Sequence, residues 1–103
     1  MLGQVNPSAT TATTAYTVPS ATETVISTIT VANLGAAPAT YRIAVRPNGE
    51  TLANKHYVVY DSSLAPQDTQ TLTLGITLDA TDVVTVFSST ASMAFNLFGS
   101  EIA

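Results

Sequence analysis

The segment from Thr69 to Leu78 alternates between apolar residues and small or polar ones over its whole length. Its apolar parity consists of Leu72, Leu74, Ile76 and Leu78. Successive side chains of a β-strand point to opposite faces, so this alternation fits a strand, and no helical period fits it. The segment therefore predicts a strand with one buried face.

Other short segments are also rich in β-branched and aromatic residues. They are residues 16–19, 23–34, 40–46, 56–61, 83–88 and 93–100. Turn residues separate them, most clearly at Pro47-Asn48-Gly49. About seven strands without a convincing helix predict an all-β fold, a single antiparallel β-sandwich that is either immunoglobulin-like or a small jelly roll. Its aromatic core is expected to come from Tyr41, Tyr57, Tyr60 and Phe95.

The first residues differ in composition from the rest of the chain. Residues 6–15 contain Ala, Thr, Ser and Pro with a single Asn, and no large side chain that would anchor them. We therefore predict an extended N-terminal arm over residues 1–15 and the sandwich domain over residues 16–103. An arm of this kind is expected to be flexible when free.

Charge and cysteine content restrict the partners of the chain. Lys and Arg together number 3 and the net charge is −4, whereas nucleic-acid binding requires clustered basic residues. No stretch resembles a signal peptide or a membrane helix, and no cysteine is present, which fits synthesis in a reducing cytoplasm. Nucleic acid and membrane are thus not expected as partners. With 46% hydrophobic residues in so short a chain, an apolar interface is expected.

His56 is the only histidine and the first candidate for catalysis. Asp61 follows five residues later, and a carboxylate can orient an imidazole for general-base work. However, an odd offset along a strand places the two side chains on opposite faces, and no nucleophile turn of the Gly-x-Ser-x-Gly type accompanies them. A partly exposed strand or turn histidine is the favoured interpretation.

Aspartates near the turns are candidates for metal or acid–base chemistry. Asp79 and Asp82 have the oxygen ligands that calcium prefers, but their spacing fits no calcium-binding loop. Asp61 and Asp68 could form a carboxylate pair of the glycosidase type. Aspartate also caps turns through side-chain to backbone hydrogen bonds, and this interpretation is favoured for all four. We expect no metal, no cofactor and no enzymatic activity.

Three side chains are candidates for an interface within the sandwich. Arg42 and Arg46 lie four residues apart on one face of a strand, from which they could reach carboxylates of a neighbouring subunit; a solvated face is the alternative. Phe98 breaks the inward parity of the last strand and should point outward as an interface anchor, unless a loop of the chain covers it.

Several motifs distributed over nearly the whole chain carry a family resemblance. They are residues 2–4, 16–19, 42–47, 54–57, 74–78, 82–86 and 95–102, the last reading Phe-Asn-Leu-Phe-Gly-Ser-Glu-Ile. In their order and in the terminal block the chain resembles small virion structural proteins of tailed bacteriophages, especially phages of marine bacteria and cyanobacteria. Each motif alone is a strand or a turn, so the resemblance depends on the whole set.

The resemblance implies a non-enzymatic part of a phage particle. The expected role is a capsid decoration or cement protein on the virion surface, bridging major capsid protein subunits and associating with itself as a homotrimer. A tail, fibre or neck structural module with a host-binding or adaptor role is the alternative. The N-terminal arm would then act as a tether, with Leu2, Gln4 and Val5 at the interface.

Overall fold

The alternating segments form eight strands in the computed structural model, which describes residues 2–102 apart from the Leu74 side chain. The strands are β1 (Gly3–Val5), β2 (Thr13–Thr17), β3 (Glu23–Asn33), β4 (Ala39–Arg46), β5 (Tyr57–Leu64), β6 (Thr69–Leu78), β7 (Val83–Ser88) and β8 (Met93–Ile102). Met1, Ala103 and the predicted inward orientation of Leu74 lie outside the described part. The all-β prediction is confirmed.

The strands pair as the two arms of one long folded ribbon. β1 pairs with β8, β2 with β7, β3 with β6 and β4 with β5, all antiparallel. Further pairing of β3 with β8 and of β4 with β7 closes two sheets, ordered β1-β8-β3-β6 and β2-β7-β4-β5. A ribbon rolled into two four-stranded sheets is a jelly roll, and this topology decides between the two predicted sandwiches.

The core lies between the two sheets and is built from their inward parities. Ile29, Ile43 and Leu97 are each 0% exposed. Tyr41 and Phe95 meet edge to face with ring centroids 6.0 Å apart, and the buried Tyr41 hydroxyl donates to Gln70 Oε1 at 2.5 Å. Each buried aliphatic side chain stabilises the fold by about 1.5–3 kcal/mol, so these inner faces hold the sheets together.

The N-terminal segment differs from its prediction. It takes part in both sheets, since β1 pairs with β8 and β2 pairs with β7, which gives eight strands in residues 2–102 instead of about seven. Leu2 N–H donates to Leu97 O at 2.8 Å, and Leu2 and Val5 pack against the core. The prediction of an unanchored arm was wrong because strand pairing uses backbone groups, which small residues supply as well as large ones. The segment is therefore not a free tether.

Irregularities interrupt the strands at the sheet edges. The pairing of β2 slips between Thr14 and Tyr16, and β6 is bulged where Gly75 takes a φ of 62°. β5 slips twice against β4, on either side of Ile43. Bulges of this kind hinder an exposed edge from pairing with another strand, so the edges formed by β2, β5 and β6 are poor surfaces for strand addition.

Candidate functional site

The slip in β5 between Tyr57 and Val59 places Tyr57 and Tyr60 on the same outer face of the second sheet. Tyr57 pairs with Ala44 and Val59 pairs with Ile43, so Val58 is the extra residue of the first bulge. Without it, the offset of three residues would put Tyr57 and Tyr60 on opposite faces. Instead their rings meet edge to face with centroids 4.9 Å apart. The expectation that both rings belong to the core was wrong.

Arg42 of the neighbouring strand β4 holds this pair of rings together. Its guanidinium carbon lies 4.3 Å from the ring centroid of Tyr60 and 4.5 Å from that of Phe87. Its Nε donates to Asp61 Oδ1 at 2.6 Å, and its second contact to the same carboxylate is 3.2 Å long. We call Arg42, Tyr57, Tyr60, Asp61 and Phe87 the tyrosine–arginine cluster. Arginine stacked between rings and bound in a fork is held in a single orientation.

The charges of the cluster compensate one another. Hydrogen bonding to the Arg42 guanidinium lowers the pKa of Asp61 below its ordinary value, and hydrogen bonding to Asp61 raises the pKa of Arg42. Both groups are therefore ionised at neutral pH, and the cluster is neutral overall. Asp61 has a φ of 51°, a left-handed conformation that aspartate adopts more readily than most residues, at the second slip of β5.

A surface depression of about 400 Å³ lies beside the cluster and is lined by Asn54, Tyr57 and Tyr60. Tyr60 is 57% exposed. The depression thus combines two aromatic rings at nearly a right angle, 78°, with an exposed amide side chain. Such a combination offers both apolar stacking and hydrogen bonds to a small ligand.

His56 stabilises the turn that presents Asn54. It ends a short 3₁₀ turn, Asn54–His56, and is 5% exposed, so the prediction of a partly exposed histidine was wrong. Its Nδ1 accepts the Ala53 N–H at 3.1 Å, which leaves Nε2 to carry the proton and to donate to Glu50 Oε1 at 3.3 Å. That bond lowers the pKa of Glu50. The side chain is buried because these two bonds satisfy both ring nitrogens.

Asp68 and Asp82 bind turn amides, as the turn interpretation predicts, whereas Asp61 binds Arg42, so that interpretation was wrong for Asp61. Asp82 Oδ1 accepts the Asn48 N–H and Asp82 Oδ2 accepts the Asp79 N–H, both at 2.9 Å. Asp68 Oδ1 accepts the Thr69 N–H at 2.8 Å. Within residues 2–102, no three His, Cys, Asp or Glu side chains are grouped so that they could hold a metal ion.

Most of the residues predicted to form an interface make their contacts within this chain. Gln4 is exposed and its Nε2 donates to Asn96 Oδ1 at 2.8 Å, whereas Leu2 and Val5 pack on the core. Arg46 donates from Nε to Thr85 Oγ1 and from a terminal nitrogen to Glu50 O, each at 3.1 Å. Together with the Arg42–Asp61 pair, these bonds show that both arginines already have partners in the subunit.

Phe98 is half-buried on the outer face of the first sheet, the face that its parity predicts. Two further apolar side chains share this face by register, Val25, which is 37% exposed, and Ile102, which is 60% exposed. We call Val25, Phe98 and Ile102 the first-sheet apolar face. The tyrosine–arginine cluster lies on the opposite side of the sandwich, because it occupies the outer face of the second sheet.

Sequence reasoning missed the tyrosine–arginine cluster. Strand parity separates Tyr57 from Tyr60, and a bulge at an ordinary valine leaves no sequence signal. Asp61 was considered only with His56 and Asp68, since nothing in the sequence indicates which residue of another strand will lie opposite.

No family model matches the chain, and no curated protein or solved structure shows significant similarity to it. Within the described residues, no helix has the length and apolar character needed to span a bilayer.

Proposed function

We propose that this protein is a non-enzymatic structural subunit of a tailed-phage particle. Its role is that of a capsid decoration protein, which lies on the virion surface and bridges neighbouring major capsid protein subunits. The proposal starts from the sequence resemblance to phage virion proteins. The jelly-roll topology is compatible with it, because viral capsid domains use this fold, although a fold alone does not define a function.

The first-sheet apolar face is the observation that carries this proposal. Val25 and Ile102 expose apolar surface beside the half-buried Phe98, and exposed apolar patches commonly mark protein contacts. Burying such side chains contributes about 1.5–3 kcal/mol each before the entropy of association is subtracted. Because the sheet edges carry bulges, we infer that docking uses this face instead of an added strand.

Self-association completes the proposed role. We propose that copies form a homotrimer on the particle, so that each assembly contacts several capsid subunits at once. Linked contacts raise the effective concentration for one another, and a modest face on each copy then suffices for stable attachment.

Copy number in purified particles tests this function. A decoration protein should be present in copies comparable to the major capsid protein, measured by quantitative mass spectrometry against a capsid peptide standard. A small number of copies per particle would contradict the proposal and indicate a tail, fibre or neck module.

A matched pair of variants tests the surface. Ile102→Asp places a charge on the first-sheet apolar face, whereas Leu34→Asp changes a side chain of similar exposure, 65%, just beyond the other end of β3. We expect Ile102→Asp to lower particle occupancy and Leu34→Asp to leave it unchanged. Equal occupancy of both variants would show that this face does not dock.

A further inference from the structure

The tyrosine–arginine cluster lies on the side of the sandwich opposite the proposed docking face and has no part in that role. We propose that the cluster binds a neutral hexose sugar, as a monosaccharide or a disaccharide unit of a glycan, in the depression lined by Asn54, Tyr57 and Tyr60. This activity goes beyond the structural role and belongs to the isolated subunit, so either proposal can fail without the other.

The construction of the cluster is the first argument. A bulge at Val58 is needed to bring Tyr57 and Tyr60 to the same face, and a second slip follows within the same eight-residue strand. The second slip coincides with the left-handed Asp61. Bulges that re-aim side chains occur next to binding sites.

The chemistry of the rings indicates the ligand class. One face of a pyranose ring carries mainly C–H groups and stacks on an aromatic ring, while its hydroxyls project around the rim. With Tyr57 and Tyr60 at 78° to each other, one ring can lie under the sugar and the other can contact its edge. The exposed Asn54 amide supplies both a donor and an acceptor for a hydroxyl.

Charge and size favour a neutral sugar. Arg42 and Asp61 neutralise each other through two contacts, so the cluster offers no unpaired charge to a phosphate, sulfate or carboxylate. Lys55, the residue that follows Asn54, has its Nζ 3.5 Å from Glu50 Oε1. The depression of about 400 Å³ falls within the range of about 300–1,000 Å³ that is usual for small-ligand sites.

A protein partner fits this surface less well. A stable protein contact buries about 800 Å² on each side. Among the described residues of β5, Val58, at 49% exposure, is the one exposed large apolar side chain besides Tyr60.

Arg42 prepares the site for a small ligand. Because it is stacked between Tyr60 and Phe87, it fixes the tyrosine ring before any ligand arrives, which reduces the entropy lost on binding.

Titration of the ¹⁵N-labelled protein with sugars, followed by amide NMR shifts, tests the proposal. The probes are glucose, galactose, N-acetylglucosamine, lactose and chitobiose, each added up to about 50 mM, a concentration that nearly saturates a site with a Kd on the order of 1 mM. We expect at least one probe to cause saturable shifts centred on residues 54–61. Absence of saturable shifts with all five probes, or shifts elsewhere only, would overturn the proposal.

Variants separate stacking from nonspecific effects. Tyr60→Ala should weaken binding about tenfold or more, and Asn54→Ala by a smaller factor, while Leu34→Ala should bind as the unmodified protein does. The spectrum of Tyr60→Ala away from β5 reports whether the fold is intact, and Tyr60→Phe, which keeps the ring, should retain most of the affinity. Binding that survives Tyr60→Ala would refute the site.

Two controls exclude other occupants. Tighter binding of glucose 6-phosphate than of glucose would contradict the charge argument. Shifts at the cluster that depend on protein concentration without sugar, and that Tyr60→Ala abolishes, would assign the surface to a second copy of the chain and overturn the sugar proposal.

Discussion

Replacing Gly99 by alanine should disrupt the contact between β8 and β3. A Cβ atom at this position would lie 2.0 Å from Val25 O and 3.0 Å from Ile26 Cα. The approach is close because the register slips there, with Gly99 opposite Ile26 and Phe98 opposite Thr28. Since both clashing atoms belong to the backbone, no rotation of a side chain relieves the contact, and the two strands must separate.

The expected loss of stability follows from that separation. Overpacking in a well-packed core typically costs about 1–3 kcal/mol, and we expect the upper end or more here because Ile26, 0% exposed, must move with its strand. Gly75→Ala is the matched control. A Cβ on Gly75 meets nothing within 4 Å, but its φ of 62° imposes the left-handed penalty of roughly 1–2 kcal/mol.

Urea unfolding followed by circular dichroism measures both variants. With a slope of roughly 1–3 kcal/mol per molar urea, a loss of about 3 kcal/mol lowers the unfolding midpoint by about 1–3 M. The same loss lowers the Tm by about 12–24 °C, at about 4–8 °C per kcal/mol for a domain of this size. If the midpoint of Gly99→Ala fell no further than that of Gly75→Ala, the steric argument would be refuted.

Three further substitutions test individual contacts by the same urea assay. The pKa of Asp61 is lowered by Arg42, so its contribution is present above the unfolded pKa of about 3.9 and is lost as pH falls through the folded pKa. When the pH is lowered from about 5 to about 2, the free energy of unfolding should therefore fall less for Asp61→Asn than for the unmodified protein. An equal fall in both would show that the Arg42–Asp61 pair does not stabilise the fold. Tyr41→Phe removes the bond to Gln70 and should cost about 1 kcal/mol; an unchanged midpoint would show that this bond is not stabilising. Asp82→Ala removes the acceptor of two turn amides and should cost about 1–3 kcal/mol, and an unchanged midpoint would show that these two bonds are not stabilising.

Strand periodicity made the class of fold predictable from sequence. Thr69–Leu78 was predicted with the bounds that the structure has, because ten residues with a period of two fit no other regular element. Strand β1 could not be predicted, since Gly3–Val5 is too short to show a period and is stabilised by backbone bonds to a strand 92 residues away, Gln4 opposite Asn96.

The candidate site was less predictable than the fold. Strand parity correctly placed Phe98 on an outer face, because the orientation of this side chain depends only on the regular alternation of β8. Tyr57 and Tyr60 were assigned to the core because aromatic residues in a strand usually lie there. Their actual position depends on slips between β5 and β4, which are properties of a pair of strands and are absent from either segment alone.

The pairing of β1 and β3 with β8 has a consequence for folding kinetics. β8 lies between β1 and β3 in the first sheet, yet it is the last of the described strands to leave the ribosome. Until β8 has been synthesised, β3 lacks the strand that pairs with it on one side. The pairing of β1 with β8 then joins segments that are far apart in the sequence. A fold so rich in long-range contacts forms slowly, and its nascent chain exposes an aggregation-prone strand edge for most of its synthesis. High-level expression should therefore gain more from a lower temperature, which weakens hydrophobic association of the incomplete chain, than from stabilising the finished subunit.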